Sequence, residues 1–345
     1  MAVTAPRTRS DAVPLKTSRT SGRPSVIAGI GVHAPEKLLT NADLEKIVET
    51  SDQWITERSG IKVRHVAEPG TTTHSLAYEA AVKALDAAGI SAGDLDTIIC
   101  ATSSPDAPFP SVACRLQEKL GVPGSVAFDL LAACTGFVYA LSVADSFVAT
   151  GRAETVLVVG AEVLTRMIDW TDRGTCVLFG DGAGAAVVRP ARGSGGFRSW
   201  CLGSDGRGYA QITTGTDVDR GPYTALESQP YIAMKGPDVF KFATDIFIRQ
   251  AEAVARTAGV SMDDIDLWVP HQANRRIIEA AARRIGLPLE RVMINIDRYG
   301  NTSTATIPLA LNDALAEGRI QTGDKVLMAG FGSGLTWGAC LLEWE

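Results

Sequence analysis

No apolar run in the 345 residues reaches the roughly 18 needed to cross a bilayer, so the chain reads as soluble, with no membrane partner. Glycine (34) and proline (16) are not in excess, and 46% of the residues are hydrophobic, which excludes low-complexity and disordered classes. A surplus of basic charge is also missing: the net charge of −6 and a pI near 5.4 argue against a nucleic-acid partner. The six cysteines contain no CxxC pair, which removes the signature of a structural zinc site, and no metal is expected. With no secretory signal ahead of them, they are expected to be reduced, in a cytoplasmic protein. A dinucleotide fingerprint is absent as well: Gly29-Ile30-Gly31 follows a strand but runs into Pro35 before any helix.

What is present falls into a short tail and a long folded body. Residues 1–24 hold five basic residues and one acidic residue, many Ser and Thr, and almost no large apolar side chain, and read as a disordered basic tail. Arg- and Ser-rich, acid-poor tails also resemble organelle transit peptides. Removing the tail leaves a body of charge −10. From Val26 onward, short apolar runs alternate with amphipathic segments, the pattern of an α/β protein. Strands are expected at 97–101, 126–129, 155–160, 183–188, 267–269, 292–296, 325–329 and 338–342.

An internal repeat organises these elements. Ala87-Ala88-Gly89-Ile90-Ser91 and the residues to Asp96 return as Thr257-Ala258-Gly259-Val260-Ser261 and the residues to Asp266, an offset of 170. The same offset aligns Val156–Gly160 with Val326–Gly330. The expectation is a duplicated α/β unit, with an N-terminal half at 25–195 and a C-terminal half at 196–345. Position 134 maps onto 304, so Cys134 and the loop Gly300-Asn301-Thr302-Ser303 should occupy equivalent strand-to-helix junctions. His271 closes a third strand. Strand carboxyl ends are where α/β sheets build their sites, so one cleft between the halves is expected to collect all three.

Each candidate has a chemical reading and a dull one. Cys134 stands between a strand and a helix, in Ala132-Ala133-Cys134-Thr135-Gly136, where a helix N-terminus would lower the thiol pKa and favour thiolate. The alternative is a cysteine packed as a small hydrophobe, which is retained for Cys100, Cys176 and Cys340. His271, in Pro270-His271-Gln272-Ala273-Asn274, could move a proton or donate a hydrogen bond; it could also be satisfied by backbone. Asn301 is either a turn residue or an amide donor aimed at an oxyanion or enolate. Gly330-Phe331-Gly332-Ser333-Gly334 offers close backbone approach, or a plain link between strands. On the helix after His271, Arg276, Arg283 and Arg284 cluster away from the stripe Ile277, Ile278, Ala281 and Ile285. They form either a solvated face or a dock for an acidic partner.

Taken together and in order, these motifs, with Thr50-Ser51-Asp52-Gln53-Trp54-Ile55, Arg58-Ser59-Gly60-Ile61, Asp172-Arg173-Gly174, Phe179-Gly180-Asp181-Gly182-Ala183-Gly184 and Leu335-Thr336-Trp337-Gly338, resemble the β-ketoacyl-acyl carrier protein synthase III family. These are condensing enzymes of the thiolase superfamily, and the resemblance covers residues 25 to 345. It implies a five-layered αβαβα thiolase fold and a homodimer. It further implies an acyltransferase that condenses a short acyl-CoA, expected to be acetyl-CoA, with malonyl-acyl carrier protein at the start of fatty-acid synthesis. The acyl-CoA is then a substrate, and no cofactor is required. The implied catalytic set is Cys134 as acylated nucleophile with His271 and Asn301. Ser333 supplies an oxyanion-hole N–H and Phe331 assists loss of CO₂. Thr50, Trp54, Arg58, Arg173, Gly236, Phe240 and Asn274 match coenzyme contacts. Lys241, Arg276, Arg283 and Arg284 match a carrier-protein dock, and Phe109 matches a loop residue that caps the partner subunit's acyl pocket. Thr135 and Ser333 depart from the family's usual Ala and Gly and bear on the pocket's shape. A priming ketosynthase or acyltransferase of a polyketide pathway is the alternative reading, and a degenerate, non-catalytic module is a third.

Overall fold

The computed structural model describes residues 13–214 and 231–345. Two five-stranded sheets form its frame. The first has the spatial order Ser25–His33, Gly182–Pro190, Val156–Glu162, Thr97–Ala101, Val126–Leu130; the second, Lys16–Arg19, Gly196–Ser204, Thr336–Glu343, Lys325–Gly332, Leu267–Pro270. The strands named for chemistry are the parallel ones: Thr97–Ala101 pairs in parallel with both of its neighbours, and Leu267–Pro270 in parallel with Lys325–Gly332.

The alternation of side chains builds the layers. Ile99, Val156, Val158 and Val188 of the first sheet share one core with Leu267, Val269, Val326 and Met328 of the second. Two helices lie in that shared core, Gly136–Ala149 and Thr306–Ala316, contributing Phe137, Leu141, Ile307 and Leu311. The opposite face of the first sheet (Ile98, Leu157, Val159, Val187) packs on the helices Thr73–Ala87 and Val112–Leu120. Trp268, Leu327 and Ala329 of the second sheet pack on Gly236–Ala258 and Arg275–Ile285. Strands apolar on both faces, and central helices apolar nearly all round, are what a helix–sheet–helix–sheet–helix stack requires. Among the described residues no helix is long and apolar enough to cross a membrane.

The offset of 170 holds in three dimensions. The 3₁₀ turns Ala92–Asp94 and Met262–Asp264 carry matching capping boxes, from Ser91 with Asp94 and from Ser261 with Asp264. The 3₁₀ turns Ala133–Thr135 and Ser303–Ala305 each lead into one of the two central helices. Ala133 (φ 47°) and Ser303 (φ 49°) are the two non-glycine residues with positive φ among the described residues, at a cost of roughly 1–3 kcal/mol each. Each turn rests on a glycine of the other half. A Cβ on Gly160 would lie 2.5 Å from the Thr304 carbonyl oxygen, and one on Gly332 would lie 2.8 Å from the Cys134 backbone nitrogen.

Two expectations need correction. The segment 292–296 is not a strand: Val292 makes one isolated bridge to Trp268, and the helical turn Ile296–Tyr299 follows. The buried Gln272 amide takes over the role of a sheet partner there, donating to the Met293 carbonyl at 3.0 Å and accepting from the Asn295 N–H at 3.1 Å. The tail is not disordered throughout, since Lys16–Arg19 forms an antiparallel edge strand on Gly196–Ser204. Val13 and Leu15 pack against the second sheet's outer core, and Arg19 Nε donates to the Thr257 carbonyl at 2.6 Å. Open backbone groups on an edge strand, with two apolar anchors, outweigh a polar composition averaged over 24 residues. Residues 1–12 of the expected tail lie outside the described residues.

The Gly160 contact is backbone against backbone and cannot be relieved by a side-chain rotation. Gly160→Ala should therefore destabilise the protein by about 2–3 kcal/mol and depress activity through the turn that carries Asn301 and Ser303, as read by chemical denaturation and turnover.

Candidate active site

Cys134 sits in the turn Ala133–Thr135, between the strand Val126–Leu130 and the helix Gly136–Ala149. Its strained neighbour Ala133 turns the chain sharply here. His271 directly follows the strand Leu267–Pro270, with its backbone N–H bonded to Ala329 O at 2.7 Å. Asn301 is held by its N–H to Leu178 O at 2.9 Å. The three side chains line one cavity of about 160 Å³, together with Phe331, Gly236, Phe240 and Asn274. A second cavity, about 450 Å³, opens on the other side of Cys134 and is lined by Leu131, Leu164, Met167, Phe179, Ile212 and Ile232, with Ser333 and Thr336. The larger cavity of about 710 Å³ beside Ile27, Arg189 and Trp344 holds none of the three.

The electrostatics of Cys134 correct the sequence reading. Burial, reinforced by the negative charge of Glu162, pushes the Cys134 thiol up to about 12, so the resting group is a thiol and not the thiolate expected of a helix N-terminus. Glu162 is fully buried and accepts hydrogen bonds from the Ser104 hydroxyl (2.6 Å), the Ser103 N–H (3.0 Å) and the Thr304 hydroxyl (3.2 Å). The Ser303 hydroxyl stands close enough to both the Cys134 sulfur and Glu162 to oppose part of the upward shift that burial gives each.

His271 is neutral for the same reason. With 1% of its surface exposed, burial lowers its pKa to about 3. Its Nδ1 stands 2.6 Å from the Thr306 hydroxyl, which is itself 3.0 Å from the Ser303 carbonyl. With the hydroxyl proton on the Ser303 carbonyl, Nδ1 must carry the imidazole proton, and Nε2 is a base. With the hydroxyl turned to Nδ1, Nε2 carries the proton and is a donor. By rotation the hydroxyl can satisfy either imidazole tautomer, and so it suits both roles a thiol-based condensing site needs once a proton has been exchanged at the ring. The Phe331 ring meets the imidazole edge to face, with centroids 5.5 Å apart at 71°. Asn301 Oδ1 accepts the Ser303 N–H at 2.9 Å, so its NH₂ is the end of the amide not held by that bond.

The residues expected at the coenzyme form a continuous group at the cavity mouth. The Arg173 and Arg58 guanidinium carbons stand 4.9 and 6.0 Å from the centre of the Trp54 ring. Asn274, on the cavity wall, donates to Arg58 O at 2.9 Å, while Arg173 donates to Glu49 O at 3.0 Å. The Thr50 hydroxyl beside it is buried without a partner. Arg276 lies 5.6 Å from the centre of the Phe240 ring, which joins this mouth to the exposed Lys241, Arg276, Arg283 and Arg284. None of these four enters an ion pair with another described residue. Phe109 is 83% exposed and does not line its own chain's cavities.

Thr306, Ser303 and Glu162 escaped the sequence reading. The repeat held a signal for one of them, because Ser303 is the equivalent of Ala133, the residue before the nucleophile. Glu162 ends a fully apolar strand, where a lone acid looks like a strand terminus.

A half-buried thiol and a buried, neutral imidazole on one cavity, with an amide donor and a second, apolar cavity beside the sulfur, define a thiol-dependent acyl-transferring enzyme on a duplicated thiolase-like fold. Comparison with known proteins narrows this. Residues 128–206 match the model of 3-oxoacyl-[acyl-carrier-protein (ACP)] synthase III, and residues 255–344 that of its C-terminal part. The β-ketoacyl-[acyl-carrier-protein] synthase III of Xanthomonas campestris pv. campestris is 50% identical over 320 residues, 93% of this chain and 98% of that one. That of Symbiobacterium thermophilum is 46% identical over 325 residues, 93% and 98%. Among solved structures, 3-oxoacyl-[acyl-carrier-protein] synthase III from Aquifex aeolicus VF5 matches with TM-score 0.87 and 45% identity, covering 93% of this chain and 100% of that one. The priming β-ketosynthase of the R1128 polyketide pathway matches with TM-score 0.89 and 34% identity, covering 94% and 98%. The chain belongs to the β-ketoacyl-[acyl-carrier-protein] synthase III family, condensing enzymes of the acyltransferase class that initiate fatty-acid synthesis.

A thiol held near 12 is less than about a thousandth ionised at pH 8. Alkylation of Cys134 by iodoacetamide should therefore quicken steadily from pH 6 to pH 9.5; a plateau below pH 8 would contradict a neutral resting thiol.

Proposed function

We propose that Cys134, His271 and Asn301 carry out a decarboxylative Claisen condensation of acetyl-CoA with malonyl-acyl carrier protein. The observation that carries the reading is the convergence of the three side chains on one cavity, with Phe331 against the imidazole. The chemistry follows from their states. His271 Nε2 takes the thiol proton as the sulfur attacks the thioester carbonyl, and passes it to the departing CoA sulfur. A base is needed because both partners are neutral at rest. The backbone N–H groups of Cys134 and Ser333 stabilise the tetrahedral oxyanion. Malonyl-acyl carrier protein then enters. Its carboxylate leaves as CO₂ past Phe331, and the bonding pair becomes an enolate held by the Asn301 NH₂ and His271 Nε2–H. The enolate carbon attacks the acyl-cysteine, and the Cys134 sulfur leaves and takes up a proton from solvent, the one proton the overall condensation consumes. Neutral donors suit this step, since a strong acid there would quench the carbanion.

Support for substrate delivery comes from the group at the mouth. Trp54 flanked by Arg58 and Arg173 suits an adenine ring and its phosphates. Thr50, Gly236, Phe240 and Asn274 complete the coenzyme's path. Lys241, Arg276, Arg283 and Arg284, which make no ion pair among the described residues, form a cationic patch on an otherwise acidic body, suited to an acidic carrier protein. No cofactor enters the reaction.

The same reading makes the enzyme a cytoplasmic homodimer. Val126–Leu130 is the open edge of its sheet, and its surroundings expose Val126 (53%), Leu131 (77%) and Phe109 (83%). Antiparallel pairing of two such edges across a twofold axis would bury them and carry each Phe109 toward the partner's acyl pocket. Sedimentation should give twice the 36.4 kDa of one chain, and Phe109→Asp should shift it toward the monomer.

Incubation with acetyl-CoA should add one acetyl mass to the peptide containing Cys134, and malonyl-acyl carrier protein should then discharge it with release of CO₂. Cys134→Ser should abolish both steps. Arg283→Glu with Arg284→Glu should keep the first step and slow the second by about tenfold or more. Absence of the acetyl adduct on the wild-type protein would sink the nucleophile assignment.

A further inference from the structure

Thr135 and Ser333, the two departures from the family's usual pattern, lie at opposite ends of one hydrogen-bonded chain. Thr135 is fully buried, with its hydroxyl 2.8 Å from that of Thr336. The Thr336 hydroxyl is in turn 3.1 Å from Ser333 O and 3.2 Å from Ala132 O. Both carbonyls can only accept, so the single Thr336 proton is committed to them, and Thr135 must be the donor in the hydroxyl pair. The Ser333 hydroxyl donates to Ile212 O at 2.6 Å. The bonds therefore run from the residue after the nucleophile, across the turn between Lys325–Gly332 and Thr336–Glu343, to Ile212. Ser333 has ordinary, negative φ, so the backbone accepts its Cβ where the family usually has glycine.

Ile212 is the residue on which this chain acts. It lines both cavities that meet at Cys134, and so forms part of the wall between them. Its own secondary structure is slight: the strand Ile212–Thr213 pairs over two residues with Ala233–Met234. So short a ladder is not stable by itself. A 2.6 Å bond from a turn anchored in the second sheet is thus a principal tie on that wall.

We propose that Thr135, Thr336 and Ser333 form a hydroxyl strut that fixes Ile212 and thereby the bore of the acyl pocket beside Cys134, making Thr135 and Ser333 determinants of acyl-chain selection. The proposal rests on Cys134 being the acylated residue. Without the strut, Ile212 is held only by its short ladder and gives way to bulkier acyl groups. Selection worth one or two methylenes is on the order of tenfold or more, which is the scale of the expected effect.

Initial rates of Cys134 loading from acetyl-, butyryl-, isovaleryl- and hexanoyl-CoA, read by intact mass, test it. Thr135→Val and Ser333→Ala each remove one hydroxyl with little change of shape. Each should raise the hexanoyl-to-acetyl and isovaleryl-to-acetyl loading ratios by about tenfold, while Thr135→Ser, which keeps the hydroxyl, should retain the wild-type ratios. Because the bonds lie in series, the double variant should relax selection no further than the stronger single one. A general loss of folding would lower all rates together and leave the ratios unchanged. Ratios within twofold of wild type in both single variants, or independent multiplication in the double, overturn the strut. Failure of the wild-type protein to load any of the four overturns the acyl-cysteine reading itself.

Discussion

The site depends on how closely each half's catalytic turn can approach the other half's central strand. Gly160 lets the turn Ser303–Ala305 rest on Val156–Glu162, and Gly332 lets the turn Ala133–Thr135 rest on Lys325–Gly332. Removing the side chain from one position on each strand brings Cys134 and the Asn301 turn to one cavity, where His271 already stands at a strand end. The backbone strain at Ala133 and Ser303 is sustained because helices packed on both sheets leave these turns no other position.

This enclosure determines the chemistry. Burial keeps the thiol protonated and the imidazole neutral, so neither is reactive alone. In the proposed reaction, reactivity waits for a thioester to bring a carbonyl to the sulfur and a leaving group to take the proton. The buried carboxylate of Glu162 strengthens the effect on the thiol while its hydrogen bonds tie the loop at Ser103 and Ser104 to Thr304 of the other half. The Thr306 hydroxyl adds a small adjustable part, since by rotation it can meet Nδ1 as acceptor or as donor and so accommodate Nε2 without or with a proton. A hydroxyl that fits either tautomer is compatible with the proposed use of a single histidine as base in one half-reaction and donor in the next.

Much of this was legible in the chain. Apolar runs located most of the two sheets, because strands buried on both faces must be apolar throughout. The repeat located the equivalence of Cys134 with the Asn301 turn, because a duplicated unit keeps its spacing wherever packing constrains it. Where the reading failed, a longer-range partner had replaced a local one. The segment 292–296 has a strand's composition but finds its hydrogen bonds on the Gln272 amide. Lys16–Arg19 has a tail's composition but finds an open sheet edge.

The sequence by itself determined the duplicated architecture, the three reactive side chains and the cationic patch, since periodicity, spacing and residue type are local properties. The protonation states were decided only by tertiary structure. A helix N-terminus argues for a thiolate, but desolvation and a carboxylate from a distant strand reverse the sign, and neither is visible until the chain is folded. The wall of the acyl pocket is of the same kind: Thr135, Thr336, Ser333 and Ile212 are scattered along the chain, and only the packing of two sheets against each other puts their hydroxyls and carbonyls within hydrogen-bond reach.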